Sequence, residues 1–64
     1  MIRLTRMNGR EFLLNSDLIK FVEETPDTVI TLISGERVLV IEKSAEIVDR
    51  VIDYGQKVRV FAAR

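Results

Sequence analysis

The stretch Ile2-Arg-Leu-Thr-Arg-Met-Asn-Gly-Arg-Glu-Phe-Leu-Leu14 decides the fold, because two apolar-rich runs flank one Asn8-Gly9 dipeptide. A type I′ turn needs a positive φ at both central residues, so Asn-Gly between two such runs predicts a β-hairpin over residues 2–14. A two-residue loop sets four cross-strand pairs: Met7 with Arg10, Arg6 with Glu11, Thr5 with Phe12, and Leu4 with Leu13. This register places apolar side chains on both faces of the hairpin, and it makes Arg6 and Glu11 an ion pair.

A similar arrangement occurs further along the chain. Residues 28–33 are rich in β-branched side chains, which strands prefer, and Ser34-Gly35 then forms a tight turn into a second apolar run that ends at Ile41. A two-residue loop at this turn pairs Thr31 with Val38 and Val29 with Val40. We therefore predict a second hairpin over residues 28–41, again with apolar side chains on both faces.

Three further segments complete the predicted architecture. Residues 18–24 lie between two turn-forming clusters and read as a strand, because a short helix starting after Asp17 would be broken early by Pro26. Ser44 suits the N-cap of a helix over residues 45–54, whose apolar stripe packs on the sheet, and Gly55 suits its end. The tail, residues 56–64, fits either a strand or a continued helix, and we favour the helix.

These elements predict a single α+β domain, mostly β, over residues 1–64: a small antiparallel sheet of about five strands, built from tight hairpins and followed by one C-terminal helix. One helix covers one face of such a sheet. Because both faces of the predicted hairpins are apolar, we expect a homo-oligomer, an obligate partner surface, or a sheet curled into a small barrel. Oligomerisation would also help a chain too short to bury more than about 60% of its surface.

The composition excludes several kinds of chemistry. The 64 residues include no Cys and no His, which removes disulfides, thiolate nucleophiles, zinc fingers and imidazole catalysis. No recognisable motif places another base beside a hydroxyl nucleophile. Asp49 and Asp53 share a face of the predicted helix, but two carboxylates alone make a poor cation site. We therefore expect no enzyme activity, no cofactor and no metal.

The balance and placement of the charges indicate which kinds of partner the chain can bind. Ten basic and ten acidic residues balance, whereas a nucleic-acid-binding protein leans basic. Arg3, Arg6 and Arg10 cluster around the first hairpin and are the candidate partner surface, although plain solvated charges are an equally good interpretation. No apolar run approaches the roughly 20 residues of a membrane span, and the first residues have no signal-peptide character. We expect a cytoplasmic protein that neither inserts into a membrane nor binds nucleic acid.

Several motifs resemble one known family. They are the hairpin run Leu4-Thr-Arg-Met-Asn-Gly9, the turn Thr25-Pro-Asp-Thr28, the pair Ser34-Gly35, and the helix positions Val48, Arg50-Val-Ile52 and Tyr54. Together they are similar to the FlbD family of small flagellar proteins, which includes swarming-motility proteins, from Met1 to about Tyr54. The resemblance implies a non-enzymatic, cytoplasmic accessory protein that supports flagellar motor output through contacts with motor or stator proteins. It brings no catalytic or ligand residues with it.

Two other functions remain open. The start Met1-Ile-Arg-Leu-Thr-Arg6 has a loose likeness to the carbon storage regulator family of short, β-rich, dimeric RNA-binding proteins. The chain would then be a post-transcriptional regulator whose arginines contact RNA phosphates, although its zero net charge opposes this. The other possibility is an assembly or folding aid of the flagellar export system, which the sequence does not separate from a role in motor output.

Overall fold

The computed structural model describes the backbone of residues 1–62 and the side chains of residues 1–55. Five antiparallel strands precede one α-helix, which confirms the predicted mostly-β α+β class. In chain order the elements are β1 Ile2–Thr5, β2 Glu11–Leu14, a 3₁₀ turn Ser16–Leu18, β3 Ile19–Glu24, β4 Thr28–Leu32, β5 Arg37–Val40 and α1 Ser44–Ala62. The strands divide into two small sheets, β1–β2 and β3–β4–β5.

Both hairpins close through a three-residue loop that ends in glycine. In the first, the Gly9 N–H donates to the Arg6 carbonyl at 2.9 Å, and the Arg6 N–H donates to the Arg10 carbonyl at 2.8 Å. Gly35 and Leu32 make the equivalent bonds in the second. Gly9 and Gly35 have φ of +89° and +92°, and no other residue type in the described part of the chain has a positive φ. This is the pattern of a turn followed by a G1 bulge, so the predicted two-residue loops are wrong.

The extra loop residue shifts the register of both hairpins by one. Leu4 lies opposite Phe12 rather than Leu13, and Ile30 lies opposite Val38. A one-residue shift moves every side chain of one strand to the other face. The prediction of two apolar faces on the first hairpin is therefore wrong, because its outward face is mostly polar: Arg3, Thr5, Glu11 and Leu13.

The core lies between the two sheets and the helix. Its buried apolar residues are Ile2, Leu4, Leu14, Ile30, Leu32, Val38, Val40 and Ile47, with Phe12, Ile19, Val22 and Val51 packed at its margin. The sheets meet at one corner, where Arg6 forms a β-bridge with Val40 and the Ile41 N–H donates to the Thr5 carbonyl at 3.0 Å. Helix α1 packs against β1 and β3, one strand from each sheet, and so holds the two sheets around one core.

The segment between the hairpins forms a strand, as predicted. Residue Asn15 starts the preceding 3₁₀ turn, where its side chain accepts the Asp17 N–H at 3.1 Å. Strand β3 pairs with β4 and contains a bulge between Ile19 and Phe21. The turn from β3 to β4 contains a cis peptide bond before Pro26.

Helix α1 differs from the prediction at both ends. Ser44 is its first residue rather than its N-cap, and the Ser44 N–H donates to the Glu24 carboxylate at 2.7 Å. The helix continues through Gly55, so the predicted end is wrong, and the favoured helical continuation holds as far as Ala62. The last two residues of the predicted tail, 63 and 64, lie outside the described residues. Neither this helix nor any other within residues 1–62 has the length and apolarity needed to cross a membrane.

Candidate interaction surface

The three arginines predicted as a partner surface lie in different surroundings. Arg3 is on the outward face of β1, with its Nε 4.0 Å from a Glu11 carboxylate oxygen. The Arg6 guanidinium lies over the Phe12 ring, 4.4 Å from the ring centroid. The predicted Arg6–Glu11 pair is thus wrong, because the register shift gives Glu11 to Arg3. Arg10 lies opposite Arg6 across the hairpin, but Arg3 points to the other face, so the structure does not gather all three into one basic surface.

A buried carboxylate that the sequence pattern did not reveal joins three elements. Glu42 is only 8% exposed, and it accepts hydrogen bonds from the Thr5 N–H (2.9 Å), the Thr5 hydroxyl (2.8 Å) and the Arg50 guanidinium (3.3 Å). The Arg50 guanidinium also donates to the Arg3 carbonyl and, at 3.1 Å, to Glu46. Glu42 and Arg50 therefore satisfy main-chain groups on the edge of β1 that faces away from β2, where a further strand would otherwise be needed.

The alternation of β5 contains a signal for Glu42. Val38 and Val40 point into the core, and Glu42 is the next residue of the same parity. An acidic residue at an inward position needs hydrogen-bonding partners, so it marks a buried polar network. The sequence pattern changes at residues 42–44. This change indicates a simple connection between the strand and the helix, so the signal for a buried Glu42 is easily overlooked.

Hydrogen bonds keep two carboxylates near the start of α1, those of Glu24 and Glu42, in the charged form. Burial alone would raise the pKa of Glu42, but the bonds from Thr5 and Arg50 outweigh it and hold this pKa below its usual range. The main-chain and side-chain hydrogen bonds from Ser44, assisted by the charge of Lys43, lower the pKa of the exposed Glu24. Both carboxylates are thus charged at neutral pH, and they attach the strands to the helix start.

The outward face of β3–β4–β5 is mixed in character. Its side chains are Phe21, Val29 and Leu39 interspersed with Glu23, Thr31 and Arg37. Phe21 is 53% exposed and Leu39 is 44% exposed. Single exposed apolar side chains are normal on protein surfaces. The predicted second apolar face of this sheet is therefore present only in part.

The apolar stripe of α1 is divided between the core and the surface. Ile47 is 1% exposed and Val51 packs at the core margin, as predicted for a stripe that covers a sheet. Val48 and Ile52, one helical turn apart, are 51% and 52% exposed. They line an open groove of about 260 Å³, which we name the α1 groove; its lining residues are Ser16, Ile19, Val22, Ile47, Val48, Val51 and Ile52. The groove is apolar except for Ser16.

Other parts of the surface are less suitable than the α1 groove for binding a partner. A second open cavity, of about 240 Å³, is lined by Met1, Ile2, Arg3, Arg50, Asp53 and Tyr54, but Arg50 is already held by Glu42 and Glu46. Among the residues that the structure describes, no group of three or more His, Cys, Asp or Glu is placed to hold a metal ion. The α1 groove is therefore the best candidate for an interaction surface.

Comparison with known proteins identifies the family. A family model for FlbD, described as flagellar and swarming motility proteins, matches residues 1–59. The chain belongs to the FlbD family. The match confirms the resemblance inferred from the hairpin motifs, and its span includes all five strands of this FlbD protein, the Glu42 network and the α1 groove. No curated protein and no solved structure matches the chain. The family connects the chain with flagellar and swarming motility.

Proposed function

We propose that this FlbD protein is a non-enzymatic accessory protein that supports flagellar motor output by binding motor or stator components. The observation that carries the proposal is the family match over residues 1–59. The α1 groove supports a function through protein association rather than through catalysis, because contiguous exposed apolar surface often marks a site of protein interaction. The absence of His and Cys from the sequence argues against imidazole or thiolate catalysis.

We also propose that the protein is a homo-oligomer in the cytoplasm. Within the described residues, eight apolar side chains form the buried core, whereas eleven large apolar side chains are exposed. A chain of 64 residues without disulfides gains stability when association covers part of such a surface. The lack of Cys is compatible with a reducing compartment.

The function is tested by deleting the gene and measuring motor torque in tethered cells, together with filament number and growth rate. We expect fewer swarming cells and lower torque, with normal filament number and normal growth. Complementation with the wild-type chain restores torque, whereas Ile52→Asp in the α1 groove does not. Ile33→Asp, which changes an apolar residue that is 63% exposed in the second hairpin loop, is the matched control and restores torque.

Two results would contradict this proposal. Normal torque in the deletion strain would remove the role in motor output. A loss of filaments would instead support an assembly or folding aid of the export system.

The RNA-binding alternative predicts retention of RNA at about 50 mM salt that weakens at about 200 mM, because such binding releases counterions. We expect no retention at either salt concentration, since Arg3 and Arg6 lie on opposite faces and contact Glu11 and Phe12.

A further inference from the structure

Helix α1 is longer than the sheets on which it packs. Its 19 residues span about 28 Å, whereas strands of four to six residues span about 13–20 Å and three strands are about 14 Å wide. Among the described side chains, the helix contributes Ile47 and Val51 to the core and its margin, and both belong to its first half. The sheets are therefore too small to cover the whole helix, whichever way it crosses them.

The sequence of α1 divides its charges between its two halves. From Ser44 to Asp53 it contains Glu46, Asp49, Arg50 and Asp53, and Arg50 is held by Glu42 and Glu46. From Tyr54 to Ala62 it contains Lys57 and Arg59 and no acidic residue. This order suits the helix dipole. It also makes the helix complementary in charge to a second copy that runs antiparallel to it.

We infer that the α1 groove is occupied by α1 of a second copy in antiparallel orientation, giving a two-fold dimer. The inference rests on the homo-oligomer proposed above and names its surface. Val48 and Ile52 of each copy pack against the other helix, and the acidic half of each helix faces the basic half of its partner. A two-fold axis makes every such contact twice. Parallel pairing would place like charges side by side, which is unfavourable.

A stable dimer interface needs more surface than the α1 groove alone provides. A standard stable interface buries about 800 Å² on each partner. This is about a sixth of the 4907 Å² surface of one FlbD chain. An interface of that area requires the length of α1 together with the groove, because a single pocket of about 260 Å³ would bury much less.

The free edge of β3 next to the groove is a poorer place for association. A bulge between Ile19 and Phe21 interrupts this edge strand, and charged residues occupy positions 20, 23 and 24. Bulges and charges on edge strands oppose pairing with a further strand. Glu24 is in addition engaged with the Ser44 N–H. On this side of the molecule, association through α1 is therefore more favourable than strand pairing along the edge of β3.

The first test measures molecular mass by sedimentation equilibrium from about 1 to 200 µM chain. We expect a dimer for the wild type, and a dissociation constant raised at least about tenfold for Ile52→Asp. Ile33→Asp is the control and leaves the constant unchanged. Circular dichroism of both variants checks that they are folded. A more conservative variant, Ile52→Ala, weakens the dimer in the same direction if Ile52→Asp fails to fold.

The second test determines the orientation of the helices. The chain has no Cys, so single cysteines can be introduced without background. An equal mixture of Asp49→Cys and Lys57→Cys, oxidised under native conditions, should form the mixed disulfide at well above twice the amount of either homodisulfide, which is the ratio that random pairing gives. The random ratio, or the excess of homodisulfides that parallel helices would give, overturns the inference.

The outcomes separate this inference from the function on which it rests. A monomer at all concentrations overturns both the homo-oligomer and the helix interface. A dimer that is insensitive to Ile52→Asp and Ile52→Ala overturns the helix interface alone. Neither result alters the expected motility defect of the deletion strain, which tests the motor role independently.

Discussion

Glu42 has the surroundings least typical of a surface carboxylate. Its two oxygens take three hydrogen bonds from Thr5 and Arg50, so β1, the end of β5 and the first turns of α1 meet at one side chain. A buried charge is tolerated only when it is paired and hydrogen-bonded. Removal of Glu42 therefore leaves the Thr5 donors without their acceptor, whereas removal of Arg50 leaves the buried carboxylate with one donor fewer.

Replacement of Glu42 by Ala should therefore be costly. The variant leaves the Thr5 N–H and hydroxyl without their acceptor, and unpaired buried polar groups cost about 1–3 kcal/mol. The free energy of unfolding, measured by urea denaturation, should fall by that amount. Glu36→Ala, at an exposed loop position, is the control and should change it by less than about 0.5 kcal/mol. Equal effects of the two substitutions would show that the network does not stabilise the fold.

The same residue should make stability depend on pH. Because the pKa of Glu42 is lower in the folded state, its contribution is complete above the unfolded pKa of about 4.3 and is lost as the pH falls through the folded pKa. The free energy of unfolding should stay level from about pH 7 to 5 and decline below about pH 4.5. Glu42→Gln should flatten this acid decline, whereas Glu36→Gln should not. An acid decline of equal steepness in Glu42→Gln would assign it to other carboxylates.

At the scale of the elements, the two hairpins contain the same type of turn, because in each of them a glycine takes the positive φ that this turn requires. Asn8-Gly9 and Ser34-Gly35 fit either a two-residue or a three-residue loop. The three-residue loop places even-numbered positions of both strands on one face, and these are the most apolar: Ile2, Leu4, Phe12 and Leu14, then Ile30, Leu32, Val38 and Val40. Burial of that face selects the longer loop, since the shorter loop would expose half of the set.

Two glycine substitutions should change stability in opposite directions. Gly35→Ala places a Cβ at φ +92°, which costs about 1–2 kcal/mol, whereas Gly55→Ala in the helix gains about 0.5–1 kcal/mol. Apart from the chain neighbours of each glycine and the helix's own nearby backbone, no atom lies within 4 Å of the position that an added Cβ would take, so backbone conformation sets the sign. Melting temperatures should move by several degrees, down for the first variant and up for the second. A lower melting temperature for Gly55→Ala would mean that the helix does not continue through residue 55.

At the scale of the whole molecule, one small core serves both sheets and the helix. The sheets touch each other at the Arg6–Val40 corner, and Ile47 of α1 fills the space between them. A 64-residue chain has a net stability of only about 3–10 kcal/mol. Loss of the helix contact should therefore affect the two sheets together rather than one sheet at a time.

Ile47→Ala tests this dependence. Removing a fully buried aliphatic side chain costs about 2–4 kcal/mol, which is a large part of the total stability. Hydrogen exchange should show faster exchange of main-chain amides in both sheets. Ile33→Ala, which shortens a 63% exposed side chain in the second hairpin loop, is the control and should leave exchange nearly unchanged. Faster exchange confined to α1 would show that the sheets are stable without the helix.

The sequence by itself determined the types of element, the α+β class and the family, because strand, turn and helix preferences and the hairpin motifs are local properties. Tertiary structure decided the loop lengths, the partners of Glu42 and the part of the α1 stripe that is buried. Thr5 lies 37 residues from Glu42, and no local pattern connects them. Two loop lengths fit the same dipeptide, and only packing selects between them. The free energy gained by burying one face depends on the assembled core and not on the turn itself.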